Sequence, residues 1–135
     1  SLGDTIGVGT AGTVAHLLDE VLRAVPCKSV AVHFHDTYGQ ALSNVLTAID
    51  RGIRVRGIRV ADSSIGGLGG CPFAKGATGN LATEDLAYLL HGMGFHTGID
   101  LDKLIGTSVW ICAQMGRKNE SKVTNAMQNS RKCGE

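Results

Sequence analysis

The stretch that decides the fold is Ser29–Asp50, SVAVHFHDTYGQALSNVLTAID. Ser29 to His35 alternates and is rich in valine, so it reads as a β-strand. Val30, Val32 and Phe34 fall on one face and Ala31, His33 and His35 on the other, because strand side chains repeat every second residue. Asp36-Thr37-Tyr38-Gly39 then turns the chain. From Gln40 to Asp50 the spacing is helical, with Ala41, Leu42, Val45, Leu46 and Ile49 on the expected buried side and Gly52 as the C-terminal cap.

The same strand-then-helix unit repeats on either side. Upstream, Ser1–Gly9 reads as a strand end followed by a glycine-rich loop. Thr10 or Thr13 caps a helix whose apolar stripe is Val14, Leu17, Leu18, Val21, Leu22 and Val25, and Pro26 stops it. Downstream, the pentapeptide RGIRV occurs twice in succession, at Arg51–Val55 and Arg56–Val60. One copy suffices for a third strand at about 58–63, so the other is expected to loop out, an extension that costs little entropy. A glycine-dense loop from Ser63 to Asn80 follows. Thr83, with Glu84 and Asp85 behind it, starts another helix that ends near Gly92 or Gly94. Asp100 opens a fourth helix, and the polar tail from Lys118 reads as one more.

The order βαβαβ, then helices, argues for a parallel sheet with crossover helices. A three-stranded parallel sheet leaves edges open, and parallel sheets are normally covered on both faces. The chain therefore reads as part of a larger α/β structure, and a first residue Ser1 in place of methionine reads as a fragment's start.

Composition narrows the function. The 135 residues carry a net charge of +1, so no basic stripe exists to displace counterions from nucleic acid. No apolar run approaches the about 20 residues that cross a bilayer, and no signal peptide opens the chain. The 19 glycines, about twice ordinary usage, point to many tight loops. Cys27, Cys71, Cys112 and Cys133 form no C-x-x-C pair and match no zinc framework, which suits free thiols in a reducing compartment. Cys27 and Cys112 read as buried structural thiols.

Four places could carry chemistry. His33 and His35 project from one side of a strand and could share a divalent metal, or simply hydrogen-bond in a polar layer; Asp36 is a candidate to fix an imidazole tautomer. Asp4, at another strand end, is either an active-site carboxylate or a turn cap. Cys71, between Gly70 and Pro72 in a glycine loop, suits a nucleophile or a general acid–base. Asn80 offers a hard amide oxygen to Mg or Mn, or else caps a turn.

Taken together, Ser1–Thr10, Val32–Asn44, Ala61–Leu90 and Gly94–Ile99 resemble the hydroxymethylglutaryl-CoA lyase family of metal-dependent TIM-barrel enzymes. The loop GLGGCPFA is the most specific piece, because sister Claisen synthases share the H-x-H strand but not that loop. Ser64-Ile65-Gly66 departs mildly from the family's usual Ser-Val-Ala, and the second RGIRV has no counterpart.

The resemblance implies the C-terminal part of a (β/α)8 barrel, strands six to eight and the following helices. Residues 1–92 would be barrel units and 93–135 a helical extension. It implies His33, His35 and Asn80 as ligands of Mg2+ or Mn2+, and Cys71, Asp4 and His33 as catalytic residues, with Thr5 near the substrate. The implied reaction is retro-Claisen cleavage of 3-hydroxy-3-methylglutaryl-CoA to acetyl-CoA and acetoacetate. The implied partner is an acyl-CoA, with no nucleic acid or membrane, in a homodimer of the full-length protein. The compartment would be the mitochondrial matrix in a eukaryote and the cytoplasm in a bacterium. The alternatives are a non-catalytic fragment lacking the earlier strands, or a sister acyl-CoA aldolase or Claisen synthase.

Overall fold

The computed structural model describes residues 1–53, 57–70 and 79–132. The junction of the two RGIRV copies, the Cys71–Thr78 part of the glycine loop, and Cys133 lie outside the described residues. The chain forms two compact units, 1–62 with 70–80, and 63–69 with 81–135.

The first unit is an α/β layer. Strands β1 (Leu2–Asp4), β2 (Ala31–Phe34) and β3 (Val60–Asp62) form a sheet in the order β1-β2-β3. Both pairs are parallel, with Gly3 opposite His33 and His33 opposite Asp62. The connections are helices α1 (Ala11–Ala24) and α2 (Ala41–Ile53). Helix α1 starts at Thr10, whose N–H donates to the Thr13 hydroxyl at 2.8 Å. It ends because Val25 precedes Pro26, which pushes Val25 into extended geometry (φ −121°, ψ 128°). The core holds Val14 and Leu18 of α1, Val32 and Phe34 of β2, and Ala41, Val45 and Ala48 of α2, with Ile58.

Three details differ from the sequence reading. Helix α2 continues through Gly52 to Ile53, so Gly52 is not its cap, and the start of the first RGIRV copy is helical instead of looped out. Arg51 there pairs with Asp19 of α1 at 2.8 Å, an anchor the extra turn gains. The buried stripe of α2 is Ala41, Asn44, Val45 and Ala48, whereas Leu46 is exposed. The i, i+3, i+4, i+7 periodicity is as expected, but the helix is rolled so that a polar residue faces inward. Leu17 of α1 is likewise exposed.

The second unit is helical: α3 (Thr83–Gly92), α4 (Leu101–Gln114) and α5 (Lys122–Lys132). Asp100 caps α4 by accepting the Lys103 N–H at 3.1 Å, as the sequence implies. The cap of α5 comes from a distance. Buried Asp85 accepts the Ser121 hydroxyl at 2.6 Å and the N–H groups of Lys122 and Val123 at 3.1 and 2.9 Å. The Ser121 hydroxyl accepts from Thr124, so the free donors of that first turn are met. Glu84, fully buried, accepts the Gly66 N–H with both oxygens at 3.0 and 2.9 Å.

Candidate metal centre

The C-terminal ends of the three parallel strands carry Asp4, the His33–His35 pair and Asp62. The pleat of β2 buries Val32 and Phe34 on one face and turns His33 to the other, as the alternation requires. His35 is buried just past the strand, where an antiparallel bridge sets it beside Asn80.

The two imidazoles meet edge to edge. Nε2 of His33 lies 3.3 Å from Nε2 of His35, with ring centroids 5.3 Å apart. Nδ1 of His33 faces Oδ2 of Asp62 at 3.2 Å. A carboxylate accepts only, so in the neutral ring this contact places the His33 proton on Nδ1 and the lone pair on Nε2. Burial, then the neighbouring His33, lowers the pKa of His35, with Asp4 opposing. The neutral, ligating form of His35 is thereby favoured.

Two ligand atoms held at about 2.1 Å from one octahedral cation sit about 3 Å apart. The 3.3 Å between the two Nε2 atoms fits that bite, and equally a long N–H···N hydrogen bond when no ion is bound. Nδ1 of His35 is buried with no hydrogen-bond partner among the described residues. Among those residues no three His, Cys, Asp or Glu side chains cluster for a metal. The available set is two imidazoles with the Asn80 amide beside them.

The remaining sequence candidates fall as follows. Asp4 is half-buried, and its carboxylate braces the β1–α1 loop: Oδ1 accepts from Val8 at 3.2 Å and Oδ2 from Gly9 at 2.8 Å. It is a turn cap at the C-terminal end of β1. Thr5 is exposed in the turn after it. Cys71 lies outside the described residues. Asp36 does not orient an imidazole; its Oδ1 accepts the Ala41 N–H at 2.9 Å and starts α2. Asp62 does that work instead. Its signal was available, because a strand ending in Asp beside a parallel H-x-H strand puts the carboxylate level with the first histidine.

The HMGL-like family model matches residues 1–111. The chain belongs to the HMGL-like family. It is 55% identical over 130 residues to cytoplasmic 3-hydroxy-3-methylglutaryl-CoA lyase of Danio rerio, covering 96% of this chain and 37% of that protein. It is 56% identical over 126 residues to mitochondrial hydroxymethylglutaryl-CoA lyase of Bos taurus, covering 93% of this chain and 37% of that one. Among solved structures, hydroxymethylglutaryl-CoA lyase of Pseudomonas aeruginosa superposes with a TM-score of 0.85 at 50% identity, covering 96% of this chain and 41% of that chain. The chain spans somewhat over a third of the length of the curated HMGL-like relatives it matches.

Proposed function

We propose that β1, β2 and β3 stand as the sixth to eighth strands of an HMGL-like (β/α)8 barrel, with residues 1–92 as barrel units and 93–135 as a helical extension. The protein that carries them is proposed to be a carbon–carbon lyase, cleaving 3-hydroxy-3-methylglutaryl-CoA to acetyl-CoA and acetoacetate. The convergence of the His33 and His35 Nε2 atoms at the C-terminal side of a parallel sheet carries this reading. Active sites of such barrels lie on that side.

His33, His35 and Asn80 would hold a divalent cation, Mg2+ or Mn2+. Bound there, it would supply Lewis-acid polarisation of the substrate's tertiary hydroxyl. With Nδ1 held against Asp62, His33 would serve as a ligand and assist Asp4 in moving the proton. The base in that step would be Asp4, whose oxygens each accept one loop N–H and keep further acceptor sites.

Asp4 takes the hydroxyl proton. The bond between the carbinol carbon and the thioester-bearing methylene breaks; the carbinol carbon becomes the ketone of acetoacetate, and the electron pair passes to an acetyl-CoA enolate. The Cys71 thiol protonates that enolate carbon, and its thiolate recovers the proton held on Asp4. Thr5, next to Asp4, would contact the substrate.

The partner is an acyl-CoA, and the full-length protein is proposed to be a homodimer. Its compartment would be mitochondrial in a eukaryote, as the name of the Bos taurus relative has it, or cytoplasmic in a bacterium; the Danio rerio relative is a cytoplasmic protein of a eukaryote. The test is acetoacetate release from 3-hydroxy-3-methylglutaryl-CoA by the protein that carries this chain, with and without Mg2+ or Mn2+. Cys71→Ala should lower kcat by about 10²- to 10⁴-fold with metal binding retained. Undiminished turnover in that variant would favour a sister Claisen synthase or aldolase.

A further inference from the structure

Asn44 has no place in the scheme above, yet it is fully buried on the inner face of α2. Its Nδ2 donates to the carbonyl of Gly9 at 2.9 Å, across 35 residues of chain. Its Oδ1 is buried with no hydrogen-bond partner among the described residues. An orphaned acceptor inside a core is a cost to folding, and an apolar side chain there would avoid it. What the amide gains in return is the position of one loop residue.

That loop residue leads to the site. The Gly9 N–H donates to Oδ2 of Asp4 at 2.8 Å, so Gly9 is gripped on one side by Asn44 and on the other by Asp4. A Cβ on Gly9 would lie 2.9 Å from the same oxygen, so the carboxylate packs hard against this backbone. The adjoining Gly7 is seated against Thr37 of the β2–α2 loop, only 2.5 Å from where a Cβ would be to the Thr37 Oγ1. The second βα unit thus holds the first unit's loop at two points.

We propose that Asn44 is a positioning residue, fixing the Asp4 carboxylate through Gly9. The inference rests on the proposed lyase reading for its link to turnover. Displacement of a reacting group by about 1 Å can cost on the order of 100-fold in rate. Loss of one of several restraints on Asp4 is expected to cost about tenfold in kcat.

The test is made in the protein that carries this chain, with Asn44→Ala, Asp4→Asn and the double variant. Asn44→Ala should lower kcat about tenfold, with KM and Mn2+ affinity within about twofold of wild type. In the Asp4→Asn background the same change should add less than about twofold, because residues acting through one another are not additive. Unchanged kcat, or the same tenfold loss in both backgrounds, would overturn the proposal. If Asn44→Ala does not fold, Asn44→Ser, which keeps a donor on a shorter arm, should give an intermediate kcat; a wild-type kcat would overturn it too. The Gly9 amide resonance gives a readout independent of activity. If the wild type cleaves no substrate, the lyase reading fails. The Asn44–Gly9–Asp4 link then stands if that resonance shifts in the Asn44 variant and falls if it does not.

Discussion

Asp62 and His33 lie opposite one another across β2 and β3, and their contact fixes which nitrogen of His33 faces His35. Carboxylates of this kind, behind a metal-binding imidazole, are worth about 10- to 100-fold in metal affinity. Asp62→Ala should weaken Mn2+ binding by that factor in a calorimetric titration, with His33 and His35 untouched. Gly7 and Gly39 offer a paired test of the loops. Both have positive φ, +71° and +68°, but only at Gly7 would a Cβ collide with a neighbour. Gly39→Ala should cost about 1 kcal/mol for the left-handed backbone alone. Gly7→Ala should cost roughly twice that or more once the clash with Thr37 is added, as read by urea denaturation. Burial, then the nearby Glu84 charge, raises the pKa of the Cys112 thiol. Little of the nucleophilic thiolate forms at neutral pH. Iodoacetamide should therefore label Cys112 in the folded protein at less than about a tenth of its rate in the unfolded chain. At this scale the sequence was legible where a short period decides direction, as for His33 and His35. It was not legible where the partner is far along the chain, as for Asn44 and Gly9.

The elements themselves were largely written locally. Thr10, Pro26, Asp100 and the valine-rich alternation around His33 mark their ends by chemistry within a few residues, and α1, α4 and β2 lie accordingly. The exceptions have tertiary causes. Helix α2 outruns Gly52, with Arg51 pairing with Asp19 on α1. Its buried face includes Asn44 because that amide has a backbone partner to reach. Helix α5 is the plainest case, since its N-terminus is capped by Asp85 from α3. Asp85→Ala removes an acceptor from three donors at once, one hydroxyl and two N–H groups. It should cost about 2–3 kcal/mol, by analogy with other buried charge-assisted hydrogen bonds. Hydrogen exchange should show the loss first in the opening turn of α5.

On the scale of the molecule, the alternation of strand and helix made the parallel sheet legible, and the order β1-β2-β3 agrees. The division into two units was not legible, because it turns on side chains such as Glu84 and Asp85 that tie distant segments within the helical unit. In the proposed reading the site is completed by a closed eight-stranded barrel, and the three parallel strands here do not close one. The 135 residues alone should therefore release no measurable acetoacetate from 3-hydroxy-3-methylglutaryl-CoA, with or without Mn2+. Metal-dependent turnover by that polypeptide would contradict the barrel assignment.

The Asn44–Gly9 hydrogen bond also has a bearing on biosynthesis. Ribosomes release a chain from its amino end, and the anchor of the first loop is made 35 residues after the loop itself. At roughly 5–20 residues per second, that leaves a gap of about 2–7 s in which the loop has emerged and its fastener has not. Through that interval local contacts such as those of its own aspartate shape the nascent segment, and a chaperone would meet it before the helix that completes it.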